Sequence, residues 1–447
     1  MGTNWKTSLG LSLALAIVIG AIGLRFWEIG RLEPFVDEGG HVLASIDPVF
    51  REVLDPLSEG KPLLCWIFKH AAYLPFDPIV TARSTVALFG TVTVLALGYV
   101  LMASAGTQAA LIGMALWALS PLSVFHERLA LLDPIVTAFL AVALAAVAVA
   151  AQDTGRAARR IVFSALGGAL FGIACLVKVS ALLALPWFGL VTFALHRRFK
   201  RPFLDRHALL VLAGIVVPFA LMGPELLDMG KGLMRHDLLS VLPSDAGLGA
   251  QLCNALAEGW GRLPQILNCY AGYGRWPLGL LALASLCLAR KQASIFPALL
   301  GLAWLVTIPV ASIAYHSPYA RYLIPDQLPL ILFVAVCLAC PWQPGAAFIS
   351  PATRSRWRIA VIVLPVISLS GWLAADRSIV LHPRTAPIPA GDIEQYVTGR
   401  WSGDGLRELT SFLQTYAEQQ HTACLVFVHR YSRPGSYGLA VAARTRP

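Results

Sequence analysis

Apolar residues in this chain come in long runs separated by short polar stretches. Read in windows of about 19 residues, the pattern predicts helices near 7–25, 84–103, 107–124, 134–151, 161–177, 179–195, 208–224, 275–289, 294–314, 322–340 and 358–375. A helix needs about 20 predominantly apolar residues to cross a bilayer, so the pattern implies an all-α polytopic membrane protein with about eleven spans. The loops alternate in charge. One side collects RAARR (156–160), RRFKR (197–201), RK (290–291) and RSRWR (354–358), and the acidic residues fall on the other. Positive charge stays cytoplasmic, which puts the N-terminus inside and, with an odd count, the C-terminus outside. Residues 7–24 also have the form of a secretory apolar core, but the many segments that follow favour a signal anchor.

The outer loops are unequal. In the first, 26–83, the stretch DPVFREVLDP predicts an interfacial helix, with Asp47 as N-cap, Pro48 at the first helical position and Val49, Phe50, Val53 and Leu54 on one face. The loop 225–274 has similar amphipathic pieces. After a transmembrane domain over 1–375, the tail 376–447 changes character: a Pro-rich linker, HPRTAPIPAGD, leads to a helix candidate, GLRELTSFLQTYAEQQ, and a strand candidate, CLVFVHR. This reads as a small extracytoplasmic α/β appendage. No internal repeat is evident.

Composition agrees with a membrane protein and excludes a soluble one: 57% of the 447 residues are hydrophobic and 13% charged, and mean hydropathy is +0.67. The net charge of +10 raises the question of nucleic acid. Its basic residues are short clusters between apolar runs, without an aromatic-interleaved module, so no nucleic-acid partner is expected. Among eight cysteines, Cys175, Cys287, Cys337 and Cys340 lie in apolar segments, and no CxxC pair has metal-like flanks. Cys253 and Cys269 share one outer loop, where the pattern permits a disulfide.

Candidate chemistry sits where polar residues meet apolar runs. Asp37 and Glu38, in EPFVDEGGHVLASIDP, stand at a membrane edge, where partial desolvation raises a carboxylate's pKa unless a cation compensates, and such a group can serve as a base. A solvated loop charge is the plain alternative. His41 stands four residues from Asp37 and can share a helical face with it, although Gly39 and Gly40 weaken a helix there. Lys61, in EGKPLLCW, stands at the depth of a lipid phosphate, or merely snorkels. In SPLSVFHERLALLDP, Asp133 before Pro134 fits an N-cap, while Arg128 requires an anionic partner, for which Asp37 is a candidate. Lys178, Arg83 and the run HSPYARYLIPDQLP add cations to the same face, making an anion-binding surface. A transporter would place charge near the midplane on broken helices, and a scaffold would leave this cluster without purpose.

The ordered set DEGGH (37–41), GKPLL (60–64), ARS (82–84), the Arg128–Asp133 turn, Lys178 and RYLIP (321–325) resembles the polyprenol-phosphate-sugar-dependent glycosyltransferases of the GT-C fold, in the protein O-mannosyltransferase and aminoarabinose-transferase branch. The likeness covers about residues 5–375, and QYVTGRWSGDG (395–405) is similar to a segment that bacterial members carry after the last span. The resemblance implies a multi-pass enzyme of the bacterial inner membrane. It would move a sugar from a polyprenyl-phosphate carrier to an extracytoplasmic protein, lipid or glycan acceptor, with inversion. By position it implies Asp37 as the catalytic carboxylate, Glu38 as its acceptor-side neighbour, Lys61 and Arg321 as contacts to the lipid phosphate, and Arg128 and Asp133 as residues of the second outer loop's site. His41, Arg83, Lys178 and Tyr322 join them as expected substrate contacts. Two departures bear on a divalent cation: Gly60 stands where the aminoarabinose branch has a carboxylate, and no glutamate beside it completes a metal site. No other cofactor is expected.

Overall fold

The computed structural model describes residues 4–48, 51–52, 56, 59–153, 155, 157–202, 206–222, 248–273, 295–315, 319–339, 363, 369–399, 402–403 and 405–420. The first membrane helix, α1 (Asn4–Phe26), leads into a short α2 (Val36–Ile46), then α3 (Leu64–Phe68), α4 (Pro78–Ala105), α5 (Thr107–Ala118), α6 (Pro121–His126) and α7 (Asp133–Gln152). Beyond these lie α8 (Ala157–Val177), α9 (Leu185–Arg198), α10 (Arg206–Met222), α11 (Leu248–Gly272), α12 (Ile295–Ala314) and α13 (Gln327–Ala339). A helix over 369–381, α14, is followed by the short α15 (Ala390–Ile393) and by α16 (Leu406–Gln420). Six helices among the described residues are long and apolar enough to span a membrane, and Thr107–Ala118, Ala208–Met222 and Gln327–Ala339 are shorter apolar helices. The expected helix at 275–289, most of that at 358–375 and the strand at 424–430 lie outside the described residues. So does much of 47–56, although one helical backbone bond, from Arg51 N–H to the Asp47 carbonyl at 3.1 Å, is present there.

Proline explains where the observed helices depart from the hydropathy windows. The expected helix 107–124 breaks at Leu119–Ser120 because Pro121 disfavours a helical residue before it and restarts the chain as α6. Pro186 likewise opens α9 after a 3-10 turn at Val179–Ala184, and the chain around Pro325 delays α13 until Gln327. Helix α4 begins six residues earlier than hydropathy suggests. There Asp77 caps it, its carboxylate accepting from Val80 N–H at 3.0 Å, with Pro78 behind.

Helix α7 lies at the centre, packed by α4, α8 and α9, while α1 turns Leu9, Leu11, Leu13, Leu15 and Ile19 outward. Those exposed leucines fit lipid rather than water. Helices α8 and α10 approach backbone to backbone: a Cβ on Gly168 would lie 2.0 Å from the Val211 carbonyl oxygen, and one on Gly172 would lie 2.5 Å from that of Ile215. This is the small-xxx-small contact by which membrane helices gain packing without a hydrophobic driving force.

The two ends of the bundle differ. Arg159, Arg160, Arg197, Arg198 and Arg201 stand at the α8 start and the α9 end. The opposite end gathers the α1 C-terminus, α2, the α6–α7 turn, the α8 C-terminus and the α12–α13 connection. The described part of the tail packs on this second end, with Ala386, Ile388, Tyr396 and Val397 joining the main core and the Tyr273 hydroxyl donating to Asp392. Among the described residues of the tail, Ala386, Ile388, Tyr396 and Val397 thus pack into the same core as the membrane helices. Cys253 and Cys269 share one continuous helix, α11. Sixteen residues of α-helix separate them by about 24 Å at 1.5 Å per residue, which rules out the disulfide that the sequence permitted, since bridged Cα atoms lie within about 7 Å.

Candidate functional site

Helix α2 carries Asp37, Glu38 and His41, and it runs unbroken through Gly39 and Gly40. What overcomes the two glycines is Glu38, which is fully buried. Its carboxylate accepts from the Arg83 guanidinium at 2.7 and 2.6 Å, from Ala130 N–H at 2.6 Å and from Phe35 N–H at 3.3 Å. Arg83 in turn donates to the carbonyls of Ile29, Leu32 and Glu33 at 3.1, 2.8 and 3.2 Å. One buried pair thus ties together the loop after α1, the start of α4 and the turn before α7. Glu38 and Arg83 were expected to touch substrate; with their groups enclosed in this network, they position α2 instead.

Arg128 is corrected in the same way. It donates to the carbonyls of Leu24 and Trp27 at 2.7 Å each and Glu28 at 3.0 Å, capping the end of α1, and it does not pair with Asp37. Below it, the fully buried Arg25 and Glu127 form an ion pair, and Trp117 Nε1–H donates to Glu127 at 3.0 Å. Sequence reading passed over both residues.

The partner of Asp37 is Arg321, whose Nη1 donates to Oδ2 at 2.5 Å from the α12–α13 connection. Burial would raise the Asp37 pKa, but the Arg321 guanidinium and Lys61 outweigh it and hold the carboxyl well below the ordinary range. His41 also faces Asp37. Burial first, then Lys61, lowers its pKa to about 3 against the opposing pull of Asp37, so the ring is neutral. Its Nδ1–H donates to the Ala130 carbonyl at 3.1 Å, which leaves Nε2 as an acceptor.

Lys61 reaches this group through a turn that only glycine supports. Gly60 has φ +68, and a Cβ there would lie 2.7 Å from Val179 Cγ1. Its carbonyl accepts from Val179 N–H at 2.9 Å, and Leu63 N–H donates to the Leu176 carbonyl at 3.1 Å, docking the GKPLL turn on the break after α8. That break projects Lys178, whose Nζ bonds the Asp133 carboxylate at 2.7 Å and stands 4.4 Å from the Tyr322 ring centre. Asp133 is therefore a lysine partner at the first residue of α7, and the N-cap reading is set aside. Arg321 lies over the rings of Tyr322 and Tyr319 at 5.2 and 5.3 Å. Lys61 itself has Glu59 at 3.7 Å; this glutamate directly precedes Gly60, so one does stand beside that position, contrary to the expectation from sequence. Among the described residues no three His, Cys, Asp or Glu side chains converge as metal ligands.

The structure thus brings together Asp37, His41, Lys61, Asp133, Lys178, Arg321 and Tyr322. Beside them opens a cleft lined by Asp133, Ser180, Tyr315, Tyr322 and Asp326 together with alanine, valine, leucine and proline side chains. Tyr315, which stacks on Tyr322 at 4.6 Å, and Asp326 were not singled out from sequence. Nor was Tyr396, which the tail brings within electrostatic reach of Arg321 and Asp37. The run 316–329 and the segment 395–405 contain Asp326 and Tyr396, but nothing in the sequence shows that either reaches the site.

The family model described as dolichyl-phosphate-mannose-protein mannosyltransferase matches residues 43–223, a stretch that holds Lys61, Asp133 and Lys178 but neither Asp37 nor Arg321. No curated protein matches significantly. Among solved structures, ArnT from Cupriavidus metallidurans bound to undecaprenyl phosphate is similar over 100% of this chain and 76% of its own, at 16% identity and a TM-score of 0.51. The apo oligosaccharyltransferase of Archaeoglobus fulgidus is similar over 98% of this chain and 64% of its own, at 13% identity and a TM-score of 0.52. The same archaeal enzyme tethered to an acceptor peptide matches with a TM-score of 0.51 at 11% identity, over 98% of this chain and 63% of its own. The chain has the GT-C membrane fold.

Proposed function

We propose that this GT-C-fold chain is a membrane glycosyltransferase that moves a sugar from a polyprenyl-phosphate carrier onto a hydroxyl of a protein, lipid or glycan acceptor, with inversion and with Asp37 as the base. The observation that carries the reading is the Asp37–Arg321 contact beside Lys61: a carboxylate held by a cation that a lipid phosphate can also claim. The likeness to ArnT with its undecaprenyl phosphate, and to the archaeal enzyme with its acceptor peptide, supports a lipid-linked donor and a separate acceptor.

The reaction is a single displacement. The acceptor oxygen attacks the anomeric carbon, the bond from that carbon to the phosphate oxygen breaks, and the acceptor's proton passes to Asp37. Lys61 and Arg321 stabilise the charge gathering on the departing phosphate. A carboxylate held far below its ordinary pKa is a weak base, so timing matters. When the donor's phosphate draws Arg321 toward itself, Asp37 loses its strongest compensating charge and burial raises its basicity. The carboxylates and tyrosines of the adjoining cleft suit a sugar, offering acceptors for its hydroxyls and ring faces for its carbons. The concentration of arginines at the opposite end supports a site on the extracytoplasmic face of the membrane.

The test is reconstitution in proteoliposomes with a panel of labelled polyprenyl-phosphate sugars and an acceptor extract. Label recovered on an acceptor, with release of polyprenyl phosphate, is the expected result. Passage of label across the bilayer with no transfer would overturn the proposal in favour of a transporter.

A further inference from the structure

Two buried polar atoms beside the reacting carboxylate, the Tyr396 hydroxyl and Arg321 Nε, have no partner assigned so far. Tyr396 is 1% exposed, and neither its hydroxyl nor Arg321 Nε finds a hydrogen-bond partner among the described residues. A buried donor left unsatisfied costs about 1–3 kcal/mol, so such groups call for a specific use, a bound ligand among them. The Tyr396 ring is well fixed. Phe35, two residues before Asp37, meets it edge-on at 4.7 Å, and Phe125 and His126 each contact it at 5.6 Å. It belongs to a π-helical stretch, Glu394–Thr398, a wide turn that recurs at functional sites. Its hydroxyl lies within electrostatic reach of Arg321, Asp37 and Tyr322, and burial pushes the phenol well above its ordinary pKa, so the proton stays on.

We infer that the Tyr396 hydroxyl and Arg321 Nε are the two donors that hold a phosphate oxygen of the lipid-linked sugar, which makes Tyr396 a direct contact to the leaving group. The inference rests on the reading of this site as one for a lipid phosphate. The chemistry suits the part. As the glycosidic bond breaks, the phosphate passes from one negative charge to two, and both groups offer protons to it. A guanidinium accepts no hydrogen bond, and the buried phenol keeps its proton. Hydrogen bonds to that oxygen strengthen as charge develops, so they act on the rate as well as on binding. The tail segment 383–399 is then part of the catalytic centre, since it is what carries the hydroxyl there.

Tyr396→Phe removes the oxygen and keeps the ring. In nanodiscs, binding of a polyprenyl phosphate and of the polyprenol of equal length is measured for wild type and variant, alongside Tm and transfer rate. Phosphate affinity should fall roughly tenfold to a hundredfold, the range for one hydrogen bond to a charged group. Polyprenol binding should hold, kcat should fall, and Tm should stay level or rise, because an unsatisfied hydroxyl has left the interior. Val397→Ala, which loosens the same stretch, should lower Tm and leave the ratio of phosphate to alcohol affinity unchanged. Equal phosphate affinity in wild type and Tyr396→Phe would overturn this inference while leaving the transferase reading intact. A wild type that neither binds polyprenyl phosphate nor transfers sugar would overturn both.

Discussion

The ion pair at the centre of the site makes a prediction about pH. In wild type, Arg321 lies 2.5 Å from Asp37 and holds its carboxyl well below the ordinary range. Unit charges about 4 Å apart at an effective dielectric near 20 interact by about 4 kcal/mol, or about three pKa units at 1.36 kcal/mol each. Asp37 keeps 33% of its side chain exposed, and solvent screening of such a pair leaves about one to two units. Arg321→Gln removes the cation, which favours the protonated acid, so the Asp37 pKa rises by that amount. The assay is kcat/KM for the lipid donor against pH, which reports the free enzyme. Wild type should stay level on the acid side down to about pH 4, the ordinary carboxylate value; the variant, though slower, should fall away about one unit or more earlier. In wild type the limb in kcat should lie above that in kcat/KM, because bound phosphate competes for Arg321. The same pair contributes stability above about pH 4 and loses it as pH falls through the folded pKa, so the Tm gap between wild type and variant should narrow in acid. Superimposable acid limbs in an active, folded variant would refute the argument: either Arg321 does not set the ionisation of Asp37, or Asp37 is not the base.

Three further outcomes follow from the same geometry. Asp37→Asn should cut transfer by about 10²–10⁴-fold yet bind polyprenyl phosphate as well as or better than wild type, since Arg321 is released to the phosphate; near-normal transfer would remove Asp37 from the mechanism. Its Tm should drop modestly, because the residue is not on a free loop but paired on α2. Lys61→Ala should raise the donor's KM and leave the acceptor's unchanged, read in two-substrate kinetics; an unchanged donor KM returns Lys61 to a snorkelling role. Glu38→Gln should destabilise the protein by about 3–5 kcal/mol, the cost of stranding a buried charge, while protein that folds keeps the wild-type donor KM; a raised KM with normal Tm would return Glu38 to the substrate side.

Much of the architecture was legible in the sequence because bilayer crossing is a local property of about 20 consecutive residues. Helices α4, α7, α8, α10 and α12 lie close to where hydropathy puts them, with the α4 start carried back to the Asp77 cap, while Pro121 splits the expected helix 107–124 in two. The polar residues at one end of the bundle were also visible, since each interrupts an apolar run. What each of them does was not. Glu38 and Asp37 are neighbours in sequence, yet a 100° step round α2 sends one into a closed network with Arg83 and leaves the other facing Arg321, 284 residues away. Arg128 looked like a partner for a carboxylate and found the carbonyls that end α1 instead. Tyr396 was visible only as one residue of the segment QYVTGRWSGDG, where nothing shows that it comes near Arg321 and Asp37. Charge and burial are set by what packs across the bundle, and a pattern of one dimension records which residues are polar without recording whom they meet.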